Sequence, residues 1–395
     1  MAASSATAFV SQVWTQRGGR LIAAGIGTLA VAAIIWQAWE FWRLLFQEEP
    51  MGAVDLALRH EEVRRWFAGQ PVYEAFQTAV YPPGTYALLW PLLGWSGFAG
   101  ARWIWAVTTI AALALLAWLL VRGSGAGTTR ERWLLGLMVL GTYPGGAAVG
   151  NGQLTIHVLV ACLGAVLLVA EGVNDWRRFA LAVCLGLVAM VKPTSAVPFL
   201  TVSLVLPGGV WVVGVTAIAY VGVTLVAAGF QPAPLAGQIE AWLERGSALG
   251  THFGDPFYAN LHAWMSAAGL SRYIIAASLI LGAAFAAWVF MHRRSSTWVL
   301  LGVAALMARF WTYHRWYDDL LILVSMVALY RVARTGAEPG VRVVCGGLFA
   351  VTLVTMLAPG GLYLFPEPLN VVFTWWETGL WAAQLMVLMR VASRA

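Results

Sequence analysis

A chain of 395 residues that is 60% hydrophobic and 11% charged departs from soluble domains, in which about a quarter of residues are charged. The composition is that of a membrane protein, and its net charge of +6 comes from loop arginines. No basic cluster with interleaved aromatics is present, so a nucleic-acid partner is excluded.

Taken in chain order, the first element is a retained helix. Arg17 and Arg20 precede an apolar run, but no small-residue cleavage site leads into a soluble mature protein. Apolar runs at 21–46, 102–121, 132–149, 153–170, 178–191, 195–207, 210–229, 272–292, 296–309, 319–333, 342–358 and 371–390 predict about twelve crossings. The segment 85–96 is too short to span, which fits a re-entrant or tilted helix. The expectation is an all-α polytopic membrane protein: one domain over 1–395, a first outer loop at 47–84 and a second large outer loop at 230–271. No repeat of fixed period is evident, and a monomer among membrane lipids is expected. Cys162, Cys184 and Cys345 stand alone inside apolar runs and read as core packing, with no disulfide framework or zinc site.

Lysine and arginine bias places basic loops in the cytoplasm. With the amino terminus inside, the inward joints hold Arg17 and Arg20, Arg122 to Arg132, Arg177 and Arg178, Arg293 and Arg294, Arg331 to Arg342, and Arg390 and Arg394. The outward joints then hold Asp55, the YPP of 81–83, GNGQ (150–153), VKP (191–193), the 230–271 loop and RFWTYHRWYDD (309–319). Ionisable groups at membrane depth are tolerated mainly inside bundles or around water. These polar joints are therefore expected to meet in one cavity.

Residues 54–68, VDLALRHEEVRRWFA, place Leu56, His60, Val63 and Phe67 on one helical stripe with Arg59, Glu62 and Arg65 on the other side. That pattern predicts an interfacial helix with its arginines on lipid phosphate. Asp55 opens it. An aspartate in a first turn is often a dipole partner, and beside a cavity it can accept a proton from a hydroxyl. Pro82 and Pro83 cannot continue a helix but can start one, and Tyr81 next to them reads either as interface belt or as part of a site. Lys192, at a helix end against the charge bias, needs a carboxylate or a phosphate. His314 and Arg315 form a second cationic spot, either a phosphate site or a loop salt-bridged to Asp318 and Asp319. His157 reads as a satisfied polar residue of the bundle. Dispersed histidines and one aspartate make no ligand set, so no metal and no cofactor is expected. Trp66, Trp242, Trp264, Trp311, Trp316, Trp375 and Trp376 fall in the outer joints, where flat rings suit headgroup anchoring or sugar stacking.

The ordered set D…G…Y…YPP…LLWPL, then GNGQLTIHVLVACLGAVLL, AVCLGLVAMVKPTSAVPFL and YHRWYDDLLIL resembles glycosyltransferase family 87, which includes polyprenyl-phosphate-mannose-dependent α-mannosyltransferases of bacteria. The likeness covers most of residues 50–330, with Asp55, Gly69 and Tyr73 in the family's register. It implies a glycosyltransferase-C-like bundle in the bacterial inner membrane whose first outer loop carries the catalytic acid, Asp55, as general base on the extracytoplasmic side. The implied donor is a polyprenyl-phosphate sugar, mannose by the family's habit, with its phosphate near Lys192, His314 and Arg315. The implied acceptor is a glycolipid or glycan hydroxyl, and transfer inverts the anomeric centre. His60, Tyr73, Tyr81, Asn151, Gln153, His252, Asn260, His262 and Asp318 complete the expected substrate contacts. Two features depart from the family: His262 stands where a serine often follows two residues after an asparagine, and PGG at 207–209 replaces a basic pair. After residue 335 the likeness is one of hydropathy only. A transporter or lipid flippase is the alternative, but such proteins often show two related halves with interrupted helices, which are not evident here.

Overall fold

The computed structural model describes residues 2–48, 50–250, 260–312, 314–360 and 366–394. Among these the chain is helical, and the isolated bridge between Thr142 and Leu357 is the extended pairing found. The helices are α1 (Ala2–Phe46), α2 (Val54–Phe67), α3 (Val72–Ala75), α4 (Pro83–Leu93), α5 (Phe98–Ser124), α6 (Thr129–Gly141), α7 (Tyr143–Asn151), α8 (Thr155–Glu171) and α9 (Trp176–Ala189). They continue with α10 (Pro193–Ser203), α11 (Gly209–Ala228), α12 (Leu235–Gly250), α13 (Leu261–Ala267), α14 (Ile274–Met291), α15 (Thr297–Trp311), α16 (Ile322–Thr335), α17 (Pro339–Met356) and α18 (Glu367–Ala392). A 3₁₀ turn, Trp316–Leu321, leads into α16.

Among the described residues, five helical segments are long and apolar enough to cross a membrane: Ala24–Phe46, Phe98–Ser124, Gly209–Ala228, Ser271–Met291 and Pro339–Met356. A sixth crossing is available if α7 and α8, bent by 116° at their junction, count as one. This is about half the number expected from the apolar runs. The reason is length and burial. Helices α10, α15 and α16 have 11, 15 and 14 residues, well short of the roughly 20 that a bilayer core requires. Their hydrophobicity, like that of α8, serves protein packing, because most of their residues are buried. By contrast the membrane-length windows of α11, α14 and α17 are each only 17% buried. A helix apolar on all sides is a core helix or a membrane helix, and composition alone does not separate the two.

The core runs through α8, α10, α15 and α16, which pack in series and then against α18. Cys162 and Cys345 are buried, as expected of core residues, whereas Cys184 is exposed. His157 bonds Thr108 Oγ1 at 3.1 Å and lies against Trp105. Most of the segment 85–96 lies in the 11-residue helix α4, which starts at Pro83 and ends at Leu93. Gly84 is required there: a Cβ would stand 2.5 Å from Thr224 Oγ1 and 3.1 Å from the Tyr220 ring on α11.

The two large loops clasp each other. From the 230–271 loop, Gln231 Nε2 donates to Trp66 O at 2.7 Å, Trp242 Nε1 to Val80 O at 2.9 Å and Arg245 Nε to Tyr73 O at 2.9 Å. Trp66 is buried, stacked on Tyr86 with its indole N–H on Ala227 O. It is therefore a packing residue rather than an open stacking platform.

Candidate functional site

Helix α2 begins at a strained turn. Ala53 adopts a left-handed conformation at φ 54°, which costs an ordinary residue about 1–2 kcal/mol, and its N–H is held by Gly150 O at 2.8 Å. Before it, Gly52 packs on Arg43, where a Cβ would fall 2.2 Å from the carbonyl oxygen. From the other side, Gly152 takes φ 70° to turn α7 into α8, and a Cβ there would meet Leu56 at 2.5 Å. These close approaches set the GNGQ turn against the first turn of α2. Gln153 is thereby set beside the Asp55 carboxylate, whose pKa it helps to lower.

Asp55 lines a cavity of about 380 Å³ together with Arg59, Thr78, Tyr81, Asn151, Gln153, Arg315 and Tyr317. Burial raises the Asp55 pKa, and Arg59, Gln153 and Arg315 oppose the rise. Arg59 is fixed on three sides: by Glu62 at 2.8 Å, by Thr78 O at 3.2 Å and by the Tyr81 ring at 4.6 Å. The expectation that Arg59, on the same side of the helix as Glu62, meets lipid phosphate is thereby corrected. Both are buried, because α2 packs beneath the first loop instead of floating at the interface. Burial also lifts the Glu62 pKa to about 7 against the pull of Arg59.

A second cavity, of about 330 Å³, adjoins the first through Val80, Tyr81 and Tyr317. Its walls are largely apolar, from Pro82, Pro193, Val197, Leu243, Ile274, Ile275 and Leu279, with Lys192, His262, Trp311 and Thr312 among the polar residues. Ile275 and Leu279 are 48% and 70% exposed on a membrane-length segment, so this cavity borders the lipid-facing side of α14.

The VKP joint and the 3₁₀ turn are bound to one another. Asp318 accepts from Lys192 Nζ at 2.6 Å, meets His314 Nδ1 at 2.9 Å and is bonded by Thr155 Oγ1. Burial alone would raise the Asp318 pKa, but Lys192 and His314 overcome it and hold the carboxyl well below its usual range. For His314 burial wins, and its pKa falls to about 4 in spite of Asp318. The imidazole is neutral at pH 7. The lysine charge is matched by Asp318, and Arg315 faces the Asp55 cavity. Asp319 is not a partner of Arg315 as the sequence led one to expect: it pairs with Arg309 at 2.5 Å and receives the Tyr143 hydroxyl, which also reaches Glu377 at 2.8 Å.

The expected site residues thus divide. Asp55, Tyr81, Asn151, Gln153 and Arg315 share the polar cavity, while Tyr81, Lys192 and His262 line the apolar one. His314 and Asp318 stand behind Lys192. His60 bonds Ser96 O at 3.0 Å and packs on Phe98, lining neither cavity. The Tyr73 hydroxyl donates to Tyr81 O at 2.8 Å, propping the YPP turn. Asn260 caps α13 through Ala263 N. His252 lies outside the described residues. The sequence reading gives Arg59 to lipid phosphate and Trp311 to headgroup anchoring or sugar stacking, and does not single out Thr78 and Tyr317 of the polar cavity or Thr312 of the apolar one. The hint was present for Arg59, one turn after Asp55 on the same helix.

Fold and site define an all-helical, membrane-embedded protein with an acid-bearing polar chamber beside an apolar one. The model for glycosyltransferase family 87 matches residues 79–333. The chain belongs to that family of membrane glycosyltransferases. Asp55 precedes the matched stretch, which includes GNGQ, VKP and the His314 to Asp319 segment. No curated protein and no solved structure matches the chain.

Proposed function

We propose that this glycosyltransferase moves a sugar, mannose as the family likeness implies, from a polyprenyl-phosphate donor to a hydroxyl of a glycolipid or glycan acceptor. The reaction takes place on the extracytoplasmic side of a bacterial inner membrane. The observation that supports this reading most is the pairing of chambers: a polar cavity holding Asp55 abuts, across Tyr81 and Tyr317, an apolar cavity bordering a lipid-facing helix. A lipid-linked donor spans such a pair, chain on one side and sugar on the other.

In this reading the acceptor hydroxyl lies beside Asp55. Its oxygen attacks the anomeric carbon, its proton passes to the Asp55 carboxylate, and the carbon–oxygen bond to phosphate breaks with the electron pair leaving on polyprenyl phosphate. In-line attack inverts the anomeric centre. A positioned base of this kind contributes roughly 10²- to 10⁴-fold. Burial raises the Asp55 pKa, which makes the carboxylate a stronger base than an ordinary aspartate, and Arg59 and Arg315 oppose that rise. Asn151 and Gln153 supply amide groups to the acceptor's other hydroxyls.

The test is to incubate the purified protein with a panel of polyprenyl-phosphate sugars and nucleotide sugars, together with membrane glycolipid acceptors. Consumption of a polyprenyl-phosphate sugar with release of polyprenyl phosphate is expected. Turnover of nucleotide sugars alone would refute the reading.

A further inference from the structure

Three buried polar atoms on residues that line the apolar cavity have no hydrogen-bond partner among the described residues: Trp311 Nε1, Thr312 Oγ1 and His262 Nδ1. Buried polar groups are nearly always paired, and each exception asks for an explanation. One orphan is a common defect; three on residues lining one cavity mark a place where a polar group belongs. The indole nitrogen is a donor only, and the hydroxyl can donate. The missing group is therefore rich in acceptor oxygens.

The charges nearby narrow its identity. Lys192 lines the same cavity, but its ammonium is already matched by Asp318 at 2.6 Å. Burial lowers the His262 pKa to about 4, so that ring is neutral, with its Nε2 on Ser278 Oγ at 2.8 Å. Trp311 and Thr312 are neutral at any pH of interest. Along the cavity, Ile275 and Leu279 lie on the lipid-facing helix, while Tyr81 and Tyr317 form the wall shared with the Asp55 chamber. A lipid-linked sugar threaded this way has its chain at the first pair and its sugar at the second. Its phosphate falls between them.

We infer that the donor's phosphodiester is held by the Trp311 indole N–H and the Thr312 hydroxyl, which makes these two residues phosphate ligands of the apolar cavity, on the reading that the donor is a polyprenyl-phosphate sugar. Lys192, tied to Asp318, contributes a compensated, buried charge to the lining. Binding here rests on neutral donors placed in a dry site, where a hydrogen bond to an ionised group is stronger than a neutral one.

The probes are farnesyl phosphate and farnesol, which share a chain and differ in the phosphate, titrated against the purified full-length protein and against Trp311→Phe and Thr312→Val. Wild type should bind farnesyl phosphate more tightly than farnesol. Each variant should lose about tenfold or more in affinity for farnesyl phosphate with farnesol unchanged. Unchanged farnesyl phosphate affinity in both variants would overturn the assignment, as would an equal loss for both probes, which marks a packing role. Failure of wild type to prefer farnesyl phosphate would instead remove the lipid-phosphate donor itself. The two failures are thus distinguishable.

Discussion

The two chambers that share Tyr81 and Tyr317 are close in size, about 380 and 330 Å³, yet they are built on opposite rules. In the polar chamber the charges face one another: Asp55 lies near Arg59 and Arg315, and Arg59 is braced by the buried Glu62. In the apolar chamber the one lysine is matched by an aspartate behind the wall, and uncharged donors are left without a partner among the described residues. A carboxylate acting as base must be kept ionised in spite of burial, which neighbouring cations do. A site for a greasy chain must stay dry, so charge is kept out of it or paired.

Replacing the acid is the largest expected break in this contrast. Asp55→Asn should lower kcat roughly 10²- to 10⁴-fold while leaving donor affinity nearly intact, measured by turnover and by titration with a polyprenyl-phosphate sugar. The wild-type rate should also fall on the acid side of a pKa above the 3.8 of an ordinary aspartate, because the base works only when ionised and burial raises its pKa. An Asp55→Asn protein that turns over at the wild-type rate would leave the polar chamber without a base.

A smaller effect sharpens the other half. The His314 pKa is lowered from 6.5 to about 4 by burial, so the unfolded chain binds this proton before the folded one does. Its contribution to stability is complete above pH 6.5 and is lost as the pH falls toward 4. Thermal unfolding across that window should show the loss, and His314→Gln should flatten the slope. An unchanged slope would mean that His314 is not held neutral behind Lys192.

Much of this arrangement is legible in the residues. Asp55 at the head of an amphipathic stretch, the GNGQ and VKP joints and the RFWTYHRWYDD run all stand out as polarity in an apolar chain, and the structure brings them within two adjoining chambers. Periodicity fails at the next level. It shows that Arg59 and Glu62 share a face of α2, but not that this face meets the Tyr81 ring and a buried carbonyl rather than lipid phosphate. It also cannot separate α15 and α16, apolar because protein surrounds them, from α11 and α14, apolar because lipid does. Hence the apolar runs number about twelve, while five or six helices among the described residues have membrane length. The Tyr143, Asp319 and Glu377 cluster joins residues far apart in the chain, and no local pattern announces such a contact.

The most direct measurement is a structure of the protein with a non-cleavable phosphonate analogue of a polyprenyl-phosphate sugar. The chain should lie between Trp242 and Leu243 on one side and Ile275 and Leu279 on the other, with the phosphonate against Trp311 and Thr312 and the sugar beyond Tyr81, facing Asp55. A chain lodged elsewhere, or a sugar out of reach of the Asp55 carboxylate, would contradict the account.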